Sequence, residues 1–516
     1  MSVEQPVAET HAPPSAATSL TSGRLLAKNA IWNLLGTGSP AFVALICLPI
    51  LKAKLGVDRL GIISLAWVVV GYFGLFDLGL SRALTKLVAE RLGQHREDEI
   101  PALVWTSLFL MAGLGVAGAI LAFILGPWLV YHPLKIPLEL RVETVHAFYW
   151  IAVSIPVVIL TAGLRGVLEA LQRFRLATAI RIPLGIFNYL GPVLVLPFSH
   201  SLVPVMIVLV AGRIIAGFVH LSACYYALPS LRGSFAVHAS SLGPLFRFGS
   251  WMTVSNVIGP LMVSFDRFLI GAMISVSAVA YYAVPYEVVS RLGLFPIALV
   301  GVLFPAFSTT SVSDKLRLSL LYENGVKCIF LILFPILLIL VVFAPEALRF
   351  WLGDEFARQS APIVRILAVA ILVNGIGQVP FSHVQGAGRP DITAKLHMFE
   401  LPIYLLMLFF GAKTMGIQGV AIAWLARVVI DTGLLFVFSW RLLRVGDFVN
   451  KKLPLMMAFA LILFGLAVLL NGIVIKSFFV VAVCLTVIAG AWRWLLSTHE
   501  KIALRTGLRS SVTKHA

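Results

Sequence analysis

IFLILFPILLILVVF, residues 329–343, carries no charge and shows no alternation of apolar with polar positions. A barrel strand of the outer-membrane kind would alternate over about 10 residues between turn signals. A bilayer-crossing helix instead asks for a run of roughly 20 predominantly apolar residues. The stretch from Val203 to Ala211 has the same uncharged character. The composition agrees, with 59% hydrophobic and 12% charged residues in the 516-residue chain. Soluble domains carry about 25% charge and need polar cover that this sequence does not supply.

Cutting the apolar runs at charge clusters predicts about fourteen helices. They begin near Leu26, Gly61, Ala102, Thr144, Pro183, Val203, Phe246, Ala278, Val326, Ala361, Phe399, Ile417, Leu455 and Ser477. With a cytoplasmic N-terminus, the inside segments hold about 26 Lys and Arg against about 9 outside, which places both termini in the cytoplasm. The net charge of +17 is then an orientation signal and a contact with anionic lipid, with no nucleic-acid partner implied. Met1–Ser22 is rich in Ala, Pro, Ser and Thr without Lys or Arg, and reads as a disordered tail and not as a secretory signal. Cys47, Cys224, Cys328 and Cys484 stand singly in apolar runs, so neither a disulfide framework nor a metal site is expected.

Two halves of the pattern superpose at an offset of roughly 214 to 221 residues. Trp32 with Gly38-Ser39-Pro40 matches Trp251 with Gly259-Pro260. Gln172–Thr178 matches Gly388–Ala394, and Gly212–Ile215 matches Ala426–Val429. Six spans per half make the halves parallel repeats around a central cavity. The fold expected is an all-α integral membrane protein: a tail over residues 1–23, six-helix lobes over 24–230 and 231–445, two extra spans over 446–497 and a basic tail over 498–516.

Ionisable residues at membrane depth are costly and point to function. The candidates are Arg213, Asp266, Arg267, Glu287, Arg291, Arg365, Glu400, Arg427 and Asp431. Five arginines against four acids give near balance with a slight cationic excess. Glu287 with Arg291, and Arg427 with Asp431, have the i, i+4 spacing of internal ion pairs. Arg213 and Arg365 have no acid within a turn and need a tertiary partner, water or an anionic ligand. Pro40, Pro260, Pro285, Pro296, Pro335 and Pro380 fall within spans. A bend at Pro285 would present Glu287 and Arg291 to the cavity.

The stretches KNAIWNLLG (28–36), LGVDRLGIISLA (55–66) and FDLGLSRALTKLVAERLG (76–93) resemble the opening helices of polysaccharide biosynthesis flippases. LRGVLEALQRFRLATAIRI (164–182), the segments at 248–271 and 278–308, and GAGRPDITAKLHMFELPIYL (386–405) resemble the same family. The resemblance covers roughly residues 25–445. It implies two lobes around a cavity that opens alternately to either side, and a substrate of undecaprenyl pyrophosphate bearing an oligosaccharide repeat, moved to the outer leaflet of the cell inner membrane. A polysaccharide polymerase and a chain-length regulator are the partners it implies. Arg291, within PYEVVSRL, best matches a lumenal arginine of that family.

The roles expected of these membrane-depth charges are substrate binding for Arg291, Arg213, Arg267, Arg365 and Arg427, and ion coupling or gating for Asp266, Glu287, Glu400 and Asp431. A drug extruder of the same superfamily often has an acid in its first helix, but Leu26–Leu51 has no Asp or Glu. A lipid II flippase is a further alternative. A membrane glycan polymerase would show a large outside loop, whereas the longest here is about 15 residues. No GxSxG, HExxH, Walker or GxGxxG arrangement stands in a plausible context, so neither an enzyme nor a cofactor is expected.

Overall fold

The computed structural model describes residues 23–73, 77, 79–233, 262–310, 315–443 and 451–495. The tail expected over Met1–Ser22, the break at Gly259-Pro260 and the basic end from residue 498 lie outside them. Among the described residues every regular element is helical. The longer helices are α1 (Gly23–Phe73), α2 (Leu80–Gly93), α3 (Ile100–Tyr131), α4 (Arg141–Ala170), α5 (Phe174–Val195) and α6 (Leu202–Ala227). There follow α7 (262–273), α8 (Val276–Ser290), α9 (Leu294–Thr310), α10 (Lys315–Leu352), α11 (Asp354–Gly386), α12 (Pro390–Leu443), α13 (Leu453–Leu469) and α14 (Ile473–Gly490).

Ten helices among the described residues are long and apolar enough to cross a membrane, and Leu453–Leu469 is a shorter apolar one. The expected count of about fourteen is not reached this way. Two pairs of expected spans run on as single helices, and part of the seventh expected span lies outside the described residues. Gly56 (φ 82°) turns α1 and Gly416 (φ 60°) turns α12. Both angles lie where glycine alone is comfortable, so each helix folds into two arms without a loop.

The helices form two lobes. α1 packs on α5, α3 on α4, and α4 on α6; α10 packs on α11, and α11 on α9 and α12. α1 also packs on α8 and joins the lobes. Gly61 makes that contact possible, since a Cβ there would stand 1.9 Å from the Val276 carbonyl oxygen. Small residues let membrane helices approach backbone to backbone. Ser275 starts α8 by accepting a hydrogen bond from the Ala278 amide at 3.1 Å. Pro285 lies inside α8 without ending it, and the interruption falls at Arg291–Gly293.

Phe109, Val116, Ile120, Phe123 and Ile124 on α3, with Phe478, Val481, Leu485 and Ile488 on α14, are exposed large apolar residues. In water they would be a liability, but in hydrocarbon they are the surface the solvent demands. α13 and α14 pack on α10. Lys476 on α14 is 4% exposed and donates to Glu346 of α10 at 2.6 Å.

Candidate functional site

A cavity of about 800 Å³ opens between the lobes, walled by α1, α4, α5, α6, α7 and α8. Among the described residues, Arg165, Arg181, Arg213, Arg267 and Arg291 line it, and the one lining carboxylate is Glu287. Two more acids pair with these arginines without lining the cavity. Asp266 lies 3.7 Å from Arg267, and Glu169 lies 3.5 Å from Arg165. Among the described residues Arg165, Arg267 and Arg291 thus each have a carboxylate partner. Arginine stays charged in such a place and offers a planar fork of donors.

Arg291 follows α8 one turn after Glu287 and donates to Glu287 Oε1. Tyr189 of α5 donates to the same oxygen at 2.9 Å, and Trp67 packs edge-on against the Tyr189 ring at 5.1 Å. The predicted Glu287–Arg291 pair therefore exists, and both side chains remain one-third exposed on the cavity wall. Arg267 lies over the Tyr286 ring at 4.5 Å and donates to the Val263 carbonyl at 3.2 Å. Asp266 sits behind the wall, 1% exposed, accepting from the Tyr282 hydroxyl and the Arg267 amide, both at 2.8 Å.

Arg213 is 9% exposed on α6, and its partner among the described residues is the Asn188 carboxamide oxygen at 3.4 Å. A buried guanidinium held by one neutral acceptor has donors left for an anion.

The remaining candidates stand elsewhere. Arg365 donates to the Val341 carbonyl of α10 at 3.3 Å and does not line the cavity. Glu400, Arg427 and Asp431 gather on the two arms of α12. The i, i+4 pair expected between Arg427 and Asp431 is replaced by pairs across the fold at Gly416. Arg427 approaches Glu400 at 3.8 Å, and Asp431 approaches His397 at 3.8 Å. The fold brings the arms together so closely that a Cβ on Gly419 would lie 2.0 Å from the Gly411 carbonyl oxygen. Cross-arm partners are then nearer than partners one turn away on the same arm.

The membrane-depth charges counted together from sequence thus fall in separate places. Glu400 and Asp431 belong to a separate cluster, while Arg165 and Arg181, absent from the membrane-depth candidates, line the cavity. Sequence reasoning also passed over His397, Asn188 and Tyr189. A signal for Arg181 was present: it stands seven residues inside α5, two turns past the helix start at Phe174.

The family model for "Polysaccharide biosynthesis protein" matches residues 26–311. A Shigella flexneri protein named for O-antigen transport is 31% identical over 411 residues, covering 79% of this chain and 96% of its own. The chain belongs to the polysaccharide biosynthesis protein family. Another relative of this family member is the Escherichia coli (strain K12) lipopolysaccharide biosynthesis protein WzxC, 25% identical over 40% of this chain and 42% of its own. The fold of the family member is similar to that of a solved structure of the lipid II flippase MurJ, captured in an inward closed conformation. That match has a TM-score of 0.69 at 14% identity, over 92% of this chain and 100% of MurJ. An inward-facing multidrug resistance MATE family transporter of the MOP superfamily matches with a TM-score of 0.67 at 15% identity, over 82% and 99%.

Proposed function

We propose that this chain is a flippase that carries undecaprenyl-pyrophosphate-linked oligosaccharide units from the cytoplasmic to the outer leaflet of the inner membrane by alternating access. The observation that carries the reading is the cavity, lined among the described residues by five arginines and one carboxylate, with Arg213 held there only by Asn188. A pyrophosphate diester brings about two negative charges that hydrocarbon rejects, and bidentate contacts from arginine offset that cost. Trp67, Tyr189 and Tyr286 add aromatic wall on which sugar rings can lie.

Orientation follows from the basic residues. Arg173, Arg175 and Arg389 stand in turns or first helical turns at helix ends, and Lys395 stands in the second turn of α12. Positive charge collects on the cytoplasmic side, so these turns and both termini are cytoplasmic. Membrane lipid surrounds the protein, and a polymerase and a chain-length regulator receive its product.

Deletion of the gene in its host tests the reading. Surface polysaccharide should disappear while lipid-linked repeat units accumulate in the cytoplasmic leaflet, and this chain supplied from a plasmid should reverse both. Normal surface polymer in the deletion strain would refute the proposal.

A further inference from the structure

The turn at Gly416 places His397 and Glu400 of one α12 arm against Arg427 and Asp431 of the other. Glu400 is 4% and Asp431 7% exposed. One ring nitrogen of His397, one oxygen of Glu400 and one of Asp431 lie within 4.8 Å of one another. Both Glu400 oxygens and Asp431 Oδ1 lack a hydrogen-bond donor among the described residues. Buried acceptors are seldom left so, because each forfeits its hydration. With both carboxylates ionised and the imidazole neutral, Arg427 leaves the cluster one negative charge in excess.

We propose that His397, Glu400 and Asp431 form a proton-binding site whose loading is coupled to transport through Arg427. One proton from the medium brings the cluster to neutrality. Held on one carboxyl, it supplies the missing donor, an O–H bridging the two acids. The alternative occupants fit less well. A divalent cation would meet the Arg427 guanidinium, and imidazole is a poor partner for sodium, which prefers oxygen ligands.

Among the described residues, the surrounding elements add no competing ion pair. The charged groups acting on this cluster are its own members. From α11, the Phe381 ring stacks 6.2 Å from His397, and His383 is engaged with Ser439 at 2.8 Å. On the cavity side, Tyr404 lies under Arg427 at 5.5 Å, and Asp266 is held by Arg267 and Tyr282. His397, with its side chain 30% exposed, sits two turns from the Arg389 turn and gives the proton a way in.

The link to the cavity is a short series of contacts. Trp424, one turn before Arg427, meets the Tyr286 ring at 5.5 Å, and Tyr286 supports Arg267 on the cavity wall. A polyanion drawing on Arg267 and a proton loading Glu400 therefore bias the same helix arm. This coupling, though not the proton binding, rests on the flippase reading.

Two measurements on the full chain in lipid bilayers separate the claims. Infrared difference spectra, titrated from about pH 5 to about pH 9, should show a protonated carboxyl band. That band should be lost in Glu400→Gln or Asp431→Asn and kept in Arg291→Ala. A band absent throughout, or unchanged in both carboxamide variants, would overturn the proton site, as would displacement of the band by zinc or sodium at neutral pH. Next, lipid-linked oligosaccharide extracted from the flippase-deletion strain is presented to proteoliposomes with and without a proton gradient. Wild type should respond to the gradient, and Glu400→Gln should lose at least about 90% of that response. A gradient response equal in the two proteins would overturn the coupling. Absence of any lipid-linked oligosaccharide movement by wild type would defeat the flippase reading and the coupling with it, while the infrared result stands apart.

Discussion

Tyr189 on α5 and Glu287 on α8 are joined across the cavity by a 2.9 Å hydrogen bond, and Glu287 is at the same time the partner of Arg291. The first lobe thereby holds the acid that positions an arginine of the second. Arg291→Ala should abolish surface polysaccharide with normal protein in the membrane, and Arg291→Lys should recover only part, because lysine lacks the planar fork. The double change Glu287→Ala with Arg291→Ala removes the orphaned charge but should stay inactive. Surface polymer measured beside membrane protein level decides. Recovery in the double variant would show Arg291 to be only a structural partner.

Arg213 differs from Arg291 in having no carboxylate partner among the described residues. Arg213→Met should therefore lower transport by at least about tenfold, equivalent to about 1.4 kcal/mol, while leaving the midpoint of thermal unfolding in detergent unchanged or higher. Removing an uncompensated buried charge relieves the fold even as it removes a substrate contact. A lowered midpoint with full transport would contradict both halves of the argument.

At Gly61 there is no room for a Cβ beside the Val276 carbonyl, whereas nothing lies within 4 Å of a Cβ at Gly113 on α3. Gly61→Ala should cost about 1–3 kcal/mol, as overpacking does, and Gly113→Ala should be neutral or slightly stabilising. Thermal unfolding of the two variants in the same detergent compares them directly.

Topology can be checked at two helix starts. Gly353 and Gly388 have φ of 88° and 76°, so cysteines are better placed beside them, at the exposed positions Asp354 and Ala394. Asp354→Cys should react with an impermeant thiol reagent in intact cells, or in spheroplasts where an outer membrane intervenes, and Ala394→Cys should not. The reverse pattern would invert the orientation.

Lys476 and Glu346 tie α14 to α10 through a pair whose lysine is buried. Lys476→Met alone should loosen the C-terminal helices, and Lys476→Met with Glu346→Gln should restore much of the loss, since the cost of a broken buried pair lies in the charge left behind. Limited proteolysis between α12 and α13 reports the docking.

The sequence by itself determined that this chain is a bundle of membrane helices in two lobes. Runs such as 329–343 admit no other solvent, and apolar length is a local property that no neighbour can cancel. It also singled out Arg213, Arg267, Glu287 and Arg291 as charges at membrane depth. Only the tertiary structure decided which charges share a site. Arg165 and Arg181 look like loop-flanking basic residues until α4 and α5 turn them into the cavity. Arg427 and Asp431 look like a pair until the fold at Gly416 offers each a nearer partner in Glu400 and His397. An ion pair forms wherever opposite charges come closest in a low-dielectric interior. That distance is set by how helices far apart in sequence pack, which spacing along one helix does not contain.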